Sequence, residues 1–410
     1  MTCRWCLVIL LFVAQPVQAF YHTSWQETDF ELRGFADAAL GMSRNPVDNG
    51  FYQDRHETFW SGDGRLLVDF HGGEHLFINA NILERVSSTP STALARTTPR
   101  LLEVERSSLL SWLQHDTVNS RASASVDVLK LHWGDEDKEM IIGRQPISMA
   151  TTFYFSPNDF FAPFGAQTFF RVYKPGVDGL RFEKRISSLS QLSIIGVLGY
   201  AVDSDSDNGW QQSPDFDRSS LLGRLTIPVG EMEWSLLLGT VKEHSIVGFS
   251  FQGEILSWLG VRSEFHYGAA EAGMEKSGLE FCIGLEHRFS NSLHLTFEQY
   301  HHGRGYENIE SVNRDAELGT LRSGYLGKDY TGAGLSYEFS PLWNGQLVVL
   351  QNWTDESRLF SCNLLRSLTD ESELSLSLSV TQGDRPEGFT LSSEFGTYPD
   401  TAAFEYRFYF

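Results

Sequence analysis

The sequence predicts an all-β protein: a transmembrane, up-and-down antiparallel β-barrel of about 18 strands (16–18) with short periplasmic turns and long extracellular loops. Three observations carry that prediction. Strand-like runs of about ten residues recur with side chains alternating apolar and polar. The connections between them alternate short and long, which a soluble sandwich has no reason to do. Charged residues fall on the faces opposite the apolar ones, where a soluble fold would bury them unpaired and a water-filled lumen would not.

The first residues, MTCRWCLVILLFVAQPVQAF, read as a secretory signal. Arg4 supplies the positive charge, Leu7 to Ala14 form the apolar core, and Val17-Gln18-Ala19 resembles a cleavage site. This apolar run is too short to span a bilayer as a helix. Residues 1–19 are therefore expected to be removed, leaving 20–410 as a single barrel domain in an oxidising compartment. Cys3 and Cys6 leave with the signal; Cys282 and Cys362 fall in separate strand-like segments and read as isolated small side chains, bridged only if their strands are adjacent.

Strands are expected to start near residues 30, 64, 74, 121, 137, 176, 189, 216, 231, 245, 256, 276, 292, 331, 343, 356, 370 and 401. The clearest is ELSLSLSVT at 373–381, with Leu374, Leu376, Leu378 and Val380 on one face and Glu373, Ser375, Ser377, Ser379 and Thr381 on the other. Met232-Trp234-Leu236-Leu238, Val247-Phe249-Phe251 and Leu279-Phe281-Ile283-Leu285 alternate in the same way. HGGE at 71–74, GDED at 134–137, SSLS at 187–190, VGEM at 229–232 and FSNS at 289–292 are the short turns. Longer connections lie at about 44–63, 87–120, 145–175, 202–215, 268–275, 302–330 and 382–400. Trp258, Trp353, Tyr200 and Tyr267 fall near strand ends, where interfacial aromatics belong.

In hydrocarbon every backbone polar group must be paired internally, so a spanning sheet has to close. Its inner face is then free to be polar. Arg181, Glu183, Arg262, Glu264, His266, Glu280, Glu286, Arg288 and Glu298 lie opposite apolar faces and are the candidate lumen-lining residues. The formal charge of -21 over 410 residues excludes a nucleic-acid partner, which would need basic patches. The mean hydropathy of -0.23 excludes a bundle of membrane helices but is compatible with a barrel wall.

The chain ends on TAAFEYRFYF. This resembles the C-terminal assembly signal of Gram-negative outer-membrane proteins, a terminal Phe with aromatic or apolar residues at alternate positions. The resemblance implies that Phe404, Tyr406, Phe408 and Phe410 face lipid and are read by the outer-membrane barrel assembly machinery. It places the protein in the bacterial outer membrane, in contact with its lipid and lipopolysaccharide. A second stretch, IIGRQPISMATTFYFSPNDFFAPFGAQTFFRVYKPGVDGLRFEK, resembles a motif of porin-like and alginate-export-like barrels, with Ser156 where that class usually carries Asn. This likeness implies a channel of about 18 strands and carries no substrate.

Within that stretch, residues 145–175 hold Phe153, Tyr154, Phe155, Phe160, Phe161, Phe164, Phe169 and Phe170, too many aromatics for a loop in water. The loop is expected to fold into the barrel and constrict the pore, with Arg144, Asn158, Asp159, Arg171 and Lys174 as the candidate polar groups; the alternative is that it caps the rim.

No cofactor or metal site is expected. DSDSDNG at 203–209 has Asn208 where a calcium loop needs Gly, so a solvated acidic loop is the simpler reading. His301 and His302 point to opposite faces of a strand, so only one can join Glu298. There is no CxxCH and no GxSxG. The leading function is passive diffusion of small hydrophilic solutes or ions. A substrate-specific polysaccharide or organic-acid channel, a scaffold for an electron-transfer partner and a barrel hydrolase remain open alternatives, and the oligomeric state is left undecided.

Overall fold

The computed structural model describes residues 21–46, 50–52, 54–88, 105–117, 119–166, 168–203, 210–270, 276–317 and 324–410. The signal-like segment 1–19 and most of the acidic run 203–209 lie outside them.

Alternating sequence is built into a closed antiparallel wall. A short strand β1 (Tyr21–Trp25) precedes the wall strands β2 (Thr28–Arg44), β3 (His56–Gly72) and β4 (Leu76–Ser88). Past a rim strand β5 (Ser111–Asp116) come β6 (Ser120–Gly134), β7 (Lys138–Gln145), β8 (Val177–Ser187) and β9 (Ser190–Val197). A rim hairpin, β10 (Tyr200–Val202) with β11 (Trp210–Pro214), leads to β12 (Ser220–Val229), β13 (Met232–Val241), β14 (His244–Leu256), β15 (Leu259–Ala270), β16 (Gly278–Arg288) and β17 (His294–His302). The helix α1 (Ile309–Glu317) lies in the next connection. The wall then runs through β18 (Asp329–Ser340), β19 (Trp343–Asn352), β20 (Arg358–Thr369), β21 (Ser372–Gln382) and β22 (Asp400–Tyr409).

Leaving out β1, β5, β10 and β11, eighteen strands remain, each bonded to its neighbours in chain order, and β22 returns to β2. The seam pairs Phe35 with Tyr409 through to Arg44 with Asp400. Phe410 adds two backbone hydrogen bonds to Gly34, of 2.7 and 2.9 Å. Below that point β1 takes over the same edge of β2, from Tyr21 opposite Leu32 to Trp25 opposite Thr28.

Pairing partners share a face, so the register fixes what faces out. Leu376 opposes Phe404, and Leu374 opposes Tyr406, on the outside; Glu373 opposes Arg407 on the inside. Leu236, Leu238, Val247 and Val380 stand exposed on the outer surface, the arrangement a bilayer stabilises. The eighteen expected strands are all present. β3 starts at His56 rather than near 64, and β12 at Ser220 rather than 216. The first difference has a clear cause: Gly62, Asp63 and Gly64 read as turn residues, yet each pairs with β2 in an unbroken ladder.

Cys282 faces inward beside Glu264, while Cys362 faces outward beside Leu378; both are free, and their opposite faces forbid a bridge. Tyr200, expected at the membrane interface, is instead buried, its hydroxyl donating to Asp178 at 3.1 Å.

Candidate functional site

The connection from β7 to β8 crosses the barrel interior. Its local shape follows from its sequence. Pro157 sets the turn in Ser156-Pro157-Asn158-Asp159, closed by the Asp159 N–H donating to the Ser156 carbonyl at 3.0 Å. At the far end Gly176 passes so close to β6 that a Cβ would lie 2.4 Å from the Asp127 carbonyl oxygen, which makes glycine obligatory there.

Two wall glutamates hold the loop. Glu264 on β15 accepts the backbone N–H groups of Thr151, Thr152 (2.9 Å) and Asn158 (2.8 Å), and the Thr152 hydroxyl (2.9 Å). Glu298 on β17 accepts three consecutive N–H groups, from Phe153 (2.5 Å), Tyr154 (2.8 Å) and Phe155 (3.1 Å). Both carboxylates are fully buried, so these donors replace the water they lose. Gly332 and Gly334 on β18 leave a slot for Tyr154; a Cβ on Gly334 would lie 1.6 Å from its hydroxyl oxygen. That hydroxyl reaches the Thr296 Oγ1 at 2.5 Å.

The loop's aromatics pack as their number requires. Phe155 stacks on Tyr300, with centroids 5.1 Å apart. Phe161, with Ile147 and Met149, joins Ile195, Leu222, Leu237 and Ile246 in an apolar cluster on the inner faces of β9 to β14. Near the seam Tyr173 stacks on Phe35 (5.1 Å) under the Arg65 guanidinium, and Arg407 lies 3.6 Å over Phe170. The loop thus bridges the seam strands, the inner faces of β9 to β14 and the wall at β15–β18.

The expected constriction residues are placed as follows. Asn158 is buried, its Nδ2 donating to the Phe249 carbonyl and its Oδ1 against His266 Nδ1, each at 3.2 Å. Asp159 receives the Lys174 ammonium at 2.5 and 2.6 Å and the Met149 N–H at 3.2 Å. Burial raises the Asp159 carboxyl and lowers the Lys174 ammonium, and their mutual attraction opposes both shifts. Arg171 donates to the carbonyls of Phe153, Ala166 (3.1 Å) and Thr168 (2.8 Å). These four groups hold the loop together. Arg144 does not belong with them: it pairs across from the outward-facing Leu129, and strand alternation turns Gln145 inward in its place. It is buried at the rim against Asp178 (2.7 and 3.1 Å), Ser107 and Val126.

All nine lumen candidates follow the inward alternation. Arg262 pairs with Glu286 at 2.8 Å and lies 4.5 Å over the Phe153 ring; Arg181 pairs with Glu183 at 3.4 Å. Glu264, His266, Glu280 and Glu298 are covered by the loop and its neighbours, while Arg288 remains exposed.

Sequence reasoning missed a second inward segment. Residues 383–399 send Phe395 into a cluster with Phe155, Tyr300, Tyr330 and Leu359. The Glu394 carboxylate accepts from Tyr330 (2.5 Å), Asn352 (2.8 Å) and the Leu326 N–H (3.3 Å). Burial pushes its pKa up to about 7. At the rim Tyr306, Val312 of α1 and Leu391 pack with Phe51, drawing three loops together. A single glutamate flanked by Ser393 and Phe395 carries no periodic signal that could have revealed this.

No protein-family model matches the sequence, and no curated protein matches it. Solved structures do. OccAB3 of Acinetobacter baumannii superposes with a TM-score of 0.56 at 11% identity, over 92% of this chain and 98% of that one. OccAB1 of the same organism gives 0.56 at 10% identity, over 92% and 96%. OccK11 (OpdR) of Pseudomonas aeruginosa gives 0.52 at 10% identity, over 96% and 98%. At these identities the likeness is one of fold, and this chain shares the closed 18-stranded barrel of those proteins.

Proposed function

We propose that this chain is a porin-type channel of the bacterial outer membrane, delivered by its N-terminal signal, and that it passes small hydrophilic solutes. The observation that carries this reading is the β7–β8 loop, latched by Glu264 and Glu298 inside a wall that is apolar outside and carries charged groups inside. A water-filled barrel narrowed by an internal loop selects by width and by the charges at its narrowest point. The barrels it resembles in fold are outer-membrane channel porins, which supports the same reading and favours a channel over an enzyme. The GRQ, SPND and KPGVD residues support it further, since each builds the loop's turn or its anchoring.

The interior apolar clusters favour a narrow path and small solutes over a wide general pore. Planar-bilayer recording on the refolded protein tests the proposal. Ohmic single-channel steps are expected, and removal of residues 150–170 should enlarge them. A protein that inserts and stays silent in both forms would overturn it.

A further inference from the structure

The outer face of β17 to β20 changes character near the long-loop end. One cross-strand row reads Phe297, Ala333, Val349 and Phe360, all apolar. The next row up, two residues away in each strand, reads Gln299, Thr331, Gln351 and Arg358. Above it stand His301 and Asp329, whose side chains meet at 2.8 Å, with Trp353 beside them. Polar groups facing outward in hydrocarbon would lack partners, so this change marks the upper edge of the apolar belt and the level of lipid head groups.

At that level there is a notch of about 420 Å³, lined by Glu307, Lys328, Asp329, Trp353 and Thr354. Its aromatic wall is held in place: the Trp353 indole N–H donates to Thr331 Oγ1 at 2.7 Å, and Thr331 donates to Gln299 at 2.6 Å. Yet Trp353 is 56% exposed. The polar groups around it meet in pairs, Lys328 with Glu307 at 2.9 Å and Asp329 with the His301 ring at 2.8 Å. A fixed, open aromatic face ringed by hydrogen-bonding polar pairs suits a sugar ring: its C–H face covers the indole, and its hydroxyls bond the carboxylates and the ammonium. The notch stands one polar row above the apolar belt, so a saccharide carried on an acyl anchor in that belt reaches it.

We propose that this notch binds the core sugars of an outer-leaflet glycolipid, those beyond its lipid A disaccharide, with Trp353 as the stacking platform and Asp329, Glu307 and Lys328 as hydroxyl partners. The inference rests on the outer-membrane reading above. Native mass spectrometry of the detergent-purified barrel tests it, using a rough-type lipopolysaccharide, its lipid A portion alone, and the free core oligosaccharide as probes. Trp258, equally exposed at the short-turn end, provides the control.

Trp353→Ala should weaken lipopolysaccharide retention about tenfold while Trp258→Ala leaves it unchanged, and Trp353→Phe should restore most of it. Lipid A should bind wild type and Trp353→Ala alike. Equal retention of lipopolysaccharide by wild type and Trp353→Ala would overturn the proposal. An equal loss with lipid A would make Trp353 a general interfacial anchor, and free oligosaccharide binding as tightly as the glycolipid would make the ligand a soluble saccharide; either result also overturns it. If Trp353→Ala fails to fold, judged by heat-modifiable gel mobility, Glu307→Gln/Asp329→Asn reads the same site. Conductance is recorded in parallel: a silent barrel that still binds glycolipid would sink the channel reading alone.

Discussion

The Lys174 ammonium lies 2.5 and 2.6 Å from the two carboxylate oxygens of Asp159, and both side chains are buried. The pair ties together two residues fifteen positions apart inside the barrel. Breaking it from one side leaves the other charge buried and unpartnered, which costs about 3–5 kcal/mol where no relaxation follows. Asp159→Asn and Lys174→Met should each loosen the loop, raise single-channel conductance and expose 150–170 to protease. The double variant should be milder than either single one, and a double-mutant cycle measured by thermal unfolding checks this.

Glu298 accepts three successive backbone donors, and a charged acceptor contributes about 1.5–3 kcal/mol per hydrogen bond. Glu298→Gln turns an amide NH₂ toward those N–H groups. The expected outcome is flickering between two conductance levels in bilayer recordings, with Glu264→Gln giving a related pattern from the neighbouring latch.

Gly334→Ala would drive a methyl group into the Tyr154 hydroxyl. Overpacking of this kind costs about 1–3 kcal/mol. Adding Tyr154→Ala should remove the larger part of that penalty and leave only the Thr296 Oγ1, 2.8 Å from the new Cβ, so Gly334→Ala should lower the melting temperature far less in the Tyr154→Ala background than in wild type.

The Glu394 carboxyl sits at about 7 in the folded chain against an ordinary 4.5. Between those values the folded state holds a proton that the unfolded state has released, so stability falls as pH rises. The contribution is complete below 4.5 and gone above about 7. Amide exchange across 384–398 should therefore be slower at pH 5 than at pH 8 after correction for intrinsic rates, and Glu394→Gln should flatten the difference.

The Phe410 ring lies over Gly34, where a Cβ would come within 2.7 Å of it. Phe410→Ala should lower the yield of assembled, heat-modifiable barrel while leaving the conductance of assembled channels unchanged.

Strand positions were legible because a membrane wall enforces strict alternation: Leu374 to Val380 must all meet lipid, whatever surrounds them. Loop lengths were legible for the same reason. The interior was not. Glu264 and Glu298 stood out as charges on the right face, but which donors they would meet depends on where a loop more than a hundred residues away comes to rest. Arg144 shows the cost of a one-residue error in phase, which moves a side chain from the lumen to the outer rim. The short strands β1, β5, β10 and β11 escaped notice because each pairs over only a few residues with little alternation of its own.

The seam carries one more consequence, for this barrel's neighbours. Where β22 stops at Gly34, the first turn of β2 would present bare backbone from Thr28 to Leu32, a ready template for a strand of another molecule. β1 occupies that stretch. Its five residues therefore act as a guard against edge-to-edge association, and their loss should show as concentration-dependent clustering of otherwise intact barrels.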